Sequence, residues 1–145
     1  QPALLDVALT DARLMTMVIA DGVHVGPAAL RLLRHLKGAD HIALVTDSIR
    51  HQGWDVQARG GAYYLRGGTL AGSNLTMLGA VRNMVRLGGA SLSEAVRMAT
   101  EVPARLLRDR SRGLLAVGRR ADLVVFDQQF RVRQTWMGGR VVYER

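Results

Sequence analysis

Two carboxylates and one imidazole stand where chemistry is commonly done: Asp21 and His24 within Ile19 to Val25 (IADGVHV), and Asp47 within Leu44 to Ser48 (LVTDS). Each group follows directly on a short apolar run, Leu14 to Ala20 (LMTMVIA) or Ile42 to Thr46 (IALVT). A carboxylate in such a place can take a proton from water or hold a metal ion, and a nearby imidazole can hold a substrate oxygen. Taken singly, each residue also has a structural account. An Asp after a strand often caps a turn or a helix, and a lone His is more often a satisfied structural residue than a catalytic one. On these residues alone both accounts stay open.

A third segment is Gly67 to Ser73 (GGTLAGS). A Gly-rich loop entering a capped helix offers free backbone N–H groups to an anion or a sugar oxygen, and Leu70, Ala71 and Gly72 sit at its centre. The same residues are equally a flexible connection ending in an N-cap at Ser73. No Gly-Lys-Ser/Thr follows, so nucleotide binding of the P-loop kind is rejected. His35, His41 and His51 are weaker candidates, because none has a second His or carboxylate at metal-ligand spacing, and no metal site is complete within the chain.

The elements that must position these groups follow from periodicity. The two apolar runs predict strands, the first covered on both faces in a parallel sheet. Pro27 to Leu36 predicts an amphipathic helix with Leu30, Leu33 and Leu36 on one side, Arg31, Arg34 and Lys37 towards another, and Gly38 as its stop. Strand, helix and strand at this spacing form a right-handed βαβ unit, which brings Asp47 and His24 to the same ends of adjacent strands. Arg50 to Gly68 predicts a polar excursion with one short strand, Ala62 to Leu65. Ser73 predicts the cap of a helix from about Asn74 to Leu87, Ser91 with Glu94 a capping box, and Pro103 the first turn of a further helix. Beyond Gly113 the pattern turns to alternation: strands at Asp122 to Phe126 and Phe130 to Trp136, then a hairpin over Gly138-Gly139 into Val141 to Tyr143. The fold class is therefore α/β first and antiparallel β last, in two separately built layers.

The chain has 145 residues, 48% of them hydrophobic, enough for a real core. It has no cysteine, which removes disulfides and thiolate metal sites and favours a reducing, cytoplasmic setting. No apolar run reaches the roughly 20 residues of a membrane-spanning helix, and Gln1 to Thr10 lacks the pattern of a secretion signal. The chain does not begin with Met and opens in what reads as the end of a helix, Pro2 to Leu9, as a fragment or processed chain would. The net charge of +8 suggests nucleic acid as a partner. The arginines, however, are scattered through every segment without interleaved aromatics, so nucleic-acid binding is set aside.

In this order the segments IADGVHV, LVTDS, GTLAGSNLTM (Gly68 to Met77), AVRNMV (Ala80 to Val85), RMATEVPAR (Arg97 to Arg105) and GRRADLVVFD (Gly118 to Asp127) resemble the N-acetylglucosamine-6-phosphate deacetylase family of the amidohydrolase superfamily. The first three together are specific, whereas the last is shared by many amidohydrolases. The resemblance implies a metal-dependent (β/α)₈ TIM-like barrel joined to a small β-sandwich. Residues 1–112 would be the C-terminal part of the barrel, with its seventh and eighth strands, and 113–145 strands of the sandwich. It implies hydrolytic deacetylation of N-acetylglucosamine 6-phosphate to glucosamine 6-phosphate and acetate in amino-sugar catabolism. Another amidohydrolase of a different acetylated amino sugar or cyclic amide, or a non-catalytic remnant, are the alternatives.

By the same resemblance Asp47 is the catalytic acid and base, which activates a metal-bound water and then protonates the leaving amine. Asp21, Gly22, Val23 and His24, with Leu70, Ala71 and Gly72, contact the substrate. The family's divalent metal, zinc or similar, takes a Glu and two His that would lie upstream of Gln1, as would an Arg for the substrate phosphate. The family also implies a homodimer. This sequence departs from the pattern in a shorter stretch between Ser48 and Gly68 and in Ser48 where Ala is common. Activity of this chain alone is accordingly not expected.

Overall fold

The computed structural model describes residues 4–49 and 55–145. A short helix α1 (Leu4–Thr10) leads into strand β1 (Thr16–Ile19), helix α2 (Pro27–Lys37), a 3₁₀ turn at Ala39–His41 and strand β2 (Ile42–Val45). The two strands pair in parallel, Thr16 opposite Ile42 through Ile19 opposite Val45, as the βαβ reading requires. Pro27 at the first turn and Gly38, whose φ of 68° few other residues adopt readily, bound the crossover helix.

The core lies between this pair and the helices. Leu30 and Leu33 of α2, Ile42 and Leu44 of β2, and Val81, Met84, Ala95 and Met98 from helices α3 (Met77–Arg86) and α4 (Leu92–Ala99) form one buried cluster. Each large side chain among them contributes about 2 kcal/mol through apolar surface removed from water. Ser91 and Glu94 cap α4 reciprocally: the Ser91 hydroxyl accepts from the Glu94 N–H, and the Glu94 carboxylate accepts from the Ser91 N–H at 2.7 Å. Pro103 falls inside the first turn of α5 (Glu101–Leu106).

Two expectations about burial are corrected. β2 is covered along Ile42, Ala43 and Leu44, but β1 is not covered on both faces: Val18 is buried while Met17 is 64% exposed. On α2 the buried stripe is Leu30, Leu33 and Lys37, and Leu36 is exposed. At about 100° per residue, position 37 returns to within about 20° of Leu30 whereas 36 lies about 120° away, so position 37, not 36, continues the stripe. Lys37 meets the cost of its burial by donating from Nζ to the Asp11 carbonyl at 2.7 Å.

The polar excursion holds more structure than one strand. β3 (Val56–Arg59) and β4 (Ala62–Leu65) form a hairpin over Gly60-Gly61, both at positive φ, and β5 (Leu70–Ser73) pairs antiparallel to β4. The Gly-rich loop before a helix is thus a strand. Ser73 is not a helix cap, since α3 begins at Met77 and its cap is Thr76, whose hydroxyl accepts from the Gly79 N–H at 3.1 Å. The C-terminal part is an antiparallel meander of β6 (Leu123–Phe126), β7 (Val132–Met137) and β8 (Arg140–Glu144), joined at its last turn by Gly138-Gly139. Phe130 adopts a φ of 59° before β7, stacks on Phe126 and packs against the main core.

Candidate active site at the carboxyl ends of β1 and β2

Because β1 and β2 are parallel and Ile19 faces Val45, Asp21 and Asp47 each stand two residues beyond the last paired position, at the same end of the sheet. His24 belongs to that end through Asp21. The Asp21 side chain is only 1% exposed. Its Oδ1 accepts the backbone N–H groups of Val23 and His24, each at 2.8 Å, and its Oδ2 lies 2.6 Å from His24 Nδ1. Burial alone would push this carboxyl up. The His24 hydrogen bond and the two backbone donors outweigh burial and hold it below the usual carboxylate range.

The turn is fixed from outside as well. Asn83 of α3 donates from Nδ2 to the Ala20 carbonyl at 2.8 Å. Gly22 sits at φ 80°, where an added Cβ would come 3.3 Å from Leu87. A cleft of about 340 Å³ opens beside Asp21, lined also by Gly60, Gly61, Asn74, Arg82 and Asn83. Neither Asn83 nor Arg82 was given a role from sequence, although Asn83 lies in AVRNMV, one of the motifs carrying the resemblance. An amide side chain next to the apolar positions Val81 and Met84 of an amphipathic helix was the available signal.

Asp47 is exposed and takes a left-handed φ of 48°. Strand β5 is built onto its backbone. The Ser73 N–H donates to the Asp47 carbonyl at 3.0 Å, and Ser48 and Ser73 form a parallel bridge. The fully buried Ser73 hydroxyl donates to the Thr46 carbonyl and accepts from the Leu75 N–H. Gly72 has a φ of 121°, and a Cβ there would meet Ile49 Cγ2 at 2.9 Å and the Asp47 carbonyl at 3.0 Å. The Leu70 to Gly72 stretch therefore reaches the end of β2 through β5, with Gly72 against the Asp47 backbone. His35 and His41 lie apart from this end, on α2 and in the 3₁₀ turn, and His51 lies outside the described residues.

A larger cavity of about 550 Å³, lined by Ala99, Pro103, Leu107, Leu114 and Asp122 among others, adjoins α5 and contains none of these groups. Its charged lining residues, Asp109, Arg112, Arg120 and Asp122, are ion-paired with one another, so the strand ends are the better candidate. Among the described residues no group of three or more His, Asp or Glu could hold a metal ion. The residues present do not make a metal site, and Asp47 is a single carboxylate.

The general model of the amidohydrolase family matches residues 3–142. The chain belongs to the amidohydrolase family. Within it, the chain is 38% identical over 152 aligned residues to an N-acetylgalactosamine-6-phosphate deacetylase of Escherichia coli O157:H7, covering 97% of this chain and 40% of that one. A shorter Escherichia coli K12 relative, provisionally named for the same activity, is 38% identical and is covered over 90% of its length. Among solved amidohydrolase structures, N-acetylglucosamine-6-phosphate deacetylase of Thermotoga maritima superposes with a TM-score of 0.90 at 32% identity, over 99% of this chain and 42% of that one. A variant of the Mycobacterium smegmatis enzyme in complex with N-acetyl-D-glucosamine-6-phosphate gives 0.82 at 37%, over 94% and 40%. The chain thus spans about two fifths of the full-length deacetylases it matches. No helix among the described residues is long and apolar enough to cross a membrane.

Proposed function

We propose that the protein takes part in hydrolysis of the acetamide of an N-acetylhexosamine 6-phosphate, with N-acetylglucosamine 6-phosphate as the first substrate, to give the amino-sugar phosphate and acetate. The observation that carries this reading is the gathering of Asp47, the Asp21–His24 pair and the β5 strand at one end of a parallel strand pair, in a chain similar along nearly its whole length to deacetylases of such sugars. In this reading Asp47 takes a proton from the attacking water and returns it to the departing amine nitrogen, a role open to an accessible carboxylate at a strand end. His24 and the Gly72 backbone orient the sugar. β1 and β2 are the seventh and eighth strands of a (β/α)₈ barrel over 1–112, and β6 to β8 are strands of a β-sandwich over 113–145. The divalent ion of the reaction, zinc or similar, depends on ligands that the described residues do not supply. The working enzyme is cytoplasmic and dimeric in this reading.

The relatives named for the galactose epimer favour a second substrate, N-acetylgalactosamine 6-phosphate, which differs only at C4. Acetate release from both epimers and from the unphosphorylated sugars, measured on the complete protein with added divalent metal, separates the readings. Turnover of a 6-phosphate and not of the free sugar is the expected result. Acetate from neither 6-phosphate would leave an assembly module or a different cyclic amide as the better account.

A further inference from the structure

The Asp21 carboxylate is engaged mainly within its own turn, with three of its roughly four acceptor sites taken there. Its carboxylate is 1% exposed, and three hydrogen bonds are directed at its two oxygens from within one turn. An ionised carboxylate only accepts hydrogen bonds, so the 2.6 Å contact requires the proton to be on His24 Nδ1. The ring is otherwise free to choose either tautomer, and the choice decides what its outer nitrogen can do. Asn83, bonded to the carbonyl of Ala20 immediately before Asp21, keeps the turn from shifting to another pairing.

We infer that Asp21 is a positioning residue: its buried carboxylate holds His24 as the Nδ1–H tautomer and leaves Nε2 as the nitrogen that meets an oxygen of the ligand. This rests on the deacetylase reading only for the nature of that ligand. It replaces the substrate contact expected of Asp21 by an action through His24. The arrangement is asymmetric in a way that chemistry can test. In Asp21→Asn the amide oxygen can still accept both backbone N–H groups, so the turn is kept. The amide nitrogen then faces Nδ1 and donates to it, which moves the imidazole proton to Nε2.

The experiment is long-range ¹H–¹⁵N correlation on the histidine-labelled full-length protein at about pH 8.5, roughly two units above the ordinary imidazole range. The His24 signals are assigned by their loss in His24→Gln. The expected result is a protonated Nδ1 in the wild type and a protonated Nε2 with bare Nδ1 in Asp21→Asn. A bare Nδ1 in the wild type, or the same tautomer in a folded Asp21→Asn, would overturn the inference, and the wild-type measurement decides even where the variant does not fold. With a 6-phosphate substrate, loss of the Nε2 acceptor should raise KM about tenfold, the scale of leaving one desolvated hydrogen-bonding group unpaired, with kcat changed much less. Equal losses in KM and kcat would place Asp21 in direct contact with the reacting groups instead. Absence of any turnover bears on the proposed function and leaves the tautomer result standing.

Discussion

Asp47 combines a candidate chemical role with an unusual backbone, and the two can be separated. At φ 48° a non-glycine residue is strained, but Asp and Asn tolerate that region better than most. Asp47→Asn therefore keeps both shape and backbone while removing the proton acceptor. In the complete enzyme kcat should fall about 10²–10⁴-fold with the unfolding midpoint unchanged; near wild-type turnover would make Asp47 a structural cap. Asp21 offers a second test. Its carboxyl is held below its ordinary range in the folded state, so its contribution is complete above the unfolded value, about 3.9, and is lost as pH falls through the folded value. Urea midpoints measured between neutral pH and about pH 2 should decline less steeply in Asp21→Asn than in the wild type. Parallel slopes would mean that other carboxylates carry the acid sensitivity.

At the scale of elements, β5 is the piece that ties the excursion to the strand ends, and Gly72 is where it comes closest. A side chain there must push on Ile49 or on the Asp47 carbonyl while holding a φ that only glycine adopts readily. Gly72→Ala should cost about 1–3 kcal/mol and disturb Asp47, whereas Gly67→Ala, with open space around it and no positive φ, should be near neutral. Chemical denaturation of the two variants checks this, and equal stabilities would mean that β5 yields without consequence. This element is also where the sequence was hardest to read. LAGS carries no apolar alternation, and although Tyr64 and Ala62 of β4 are near in sequence, its link to Asp47 is not local. β3 escaped notice because VQAR has a single apolar aliphatic residue followed by polar and small ones. By contrast β1, α2 and β2 were legible because their partners lie within one βαβ unit, and the α4 capping box because two residues three apart define it. Lys37 shows the intermediate case: the helix was evident, but the acceptor that lets a lysine sit in its buried stripe, the Asp11 carbonyl, lies 26 residues away. Of the candidate site, the strand-end positions of Asp21 and Asp47 could be anticipated, while the Ser73 and Asn83 hydrogen bonds could not.

At the scale of the molecule, the strands among the described residues fall into separate sheets of two, three and three, none of them closed. Such edges invite pairing with another chain. The exposed apolar side chains Leu4, Leu5 and Met17 add surface that water disfavours. We propose that the 145-residue chain alone self-associates and releases no acetate even with metal supplied. Sedimentation should show species heavier than 15.8 kDa, and a monodisperse monomer that turns over substrate would refute both statements. One last property of the whole chain concerns its reactivity with acylating reagents. Of its 20 basic residues only Lys37 is a lysine, and that residue is 7% exposed with its amine bonded to the carbonyl of Asp11, the residue that follows α1. Reagents that decorate the outside of most proteins would therefore reach a lysine here only while α1 and its connection part from α2. The rate at which mass spectrometry finds Lys37 acylated should rise with sub-denaturing urea well before global unfolding, so the composition has left the protein with a built-in clock for that one local opening.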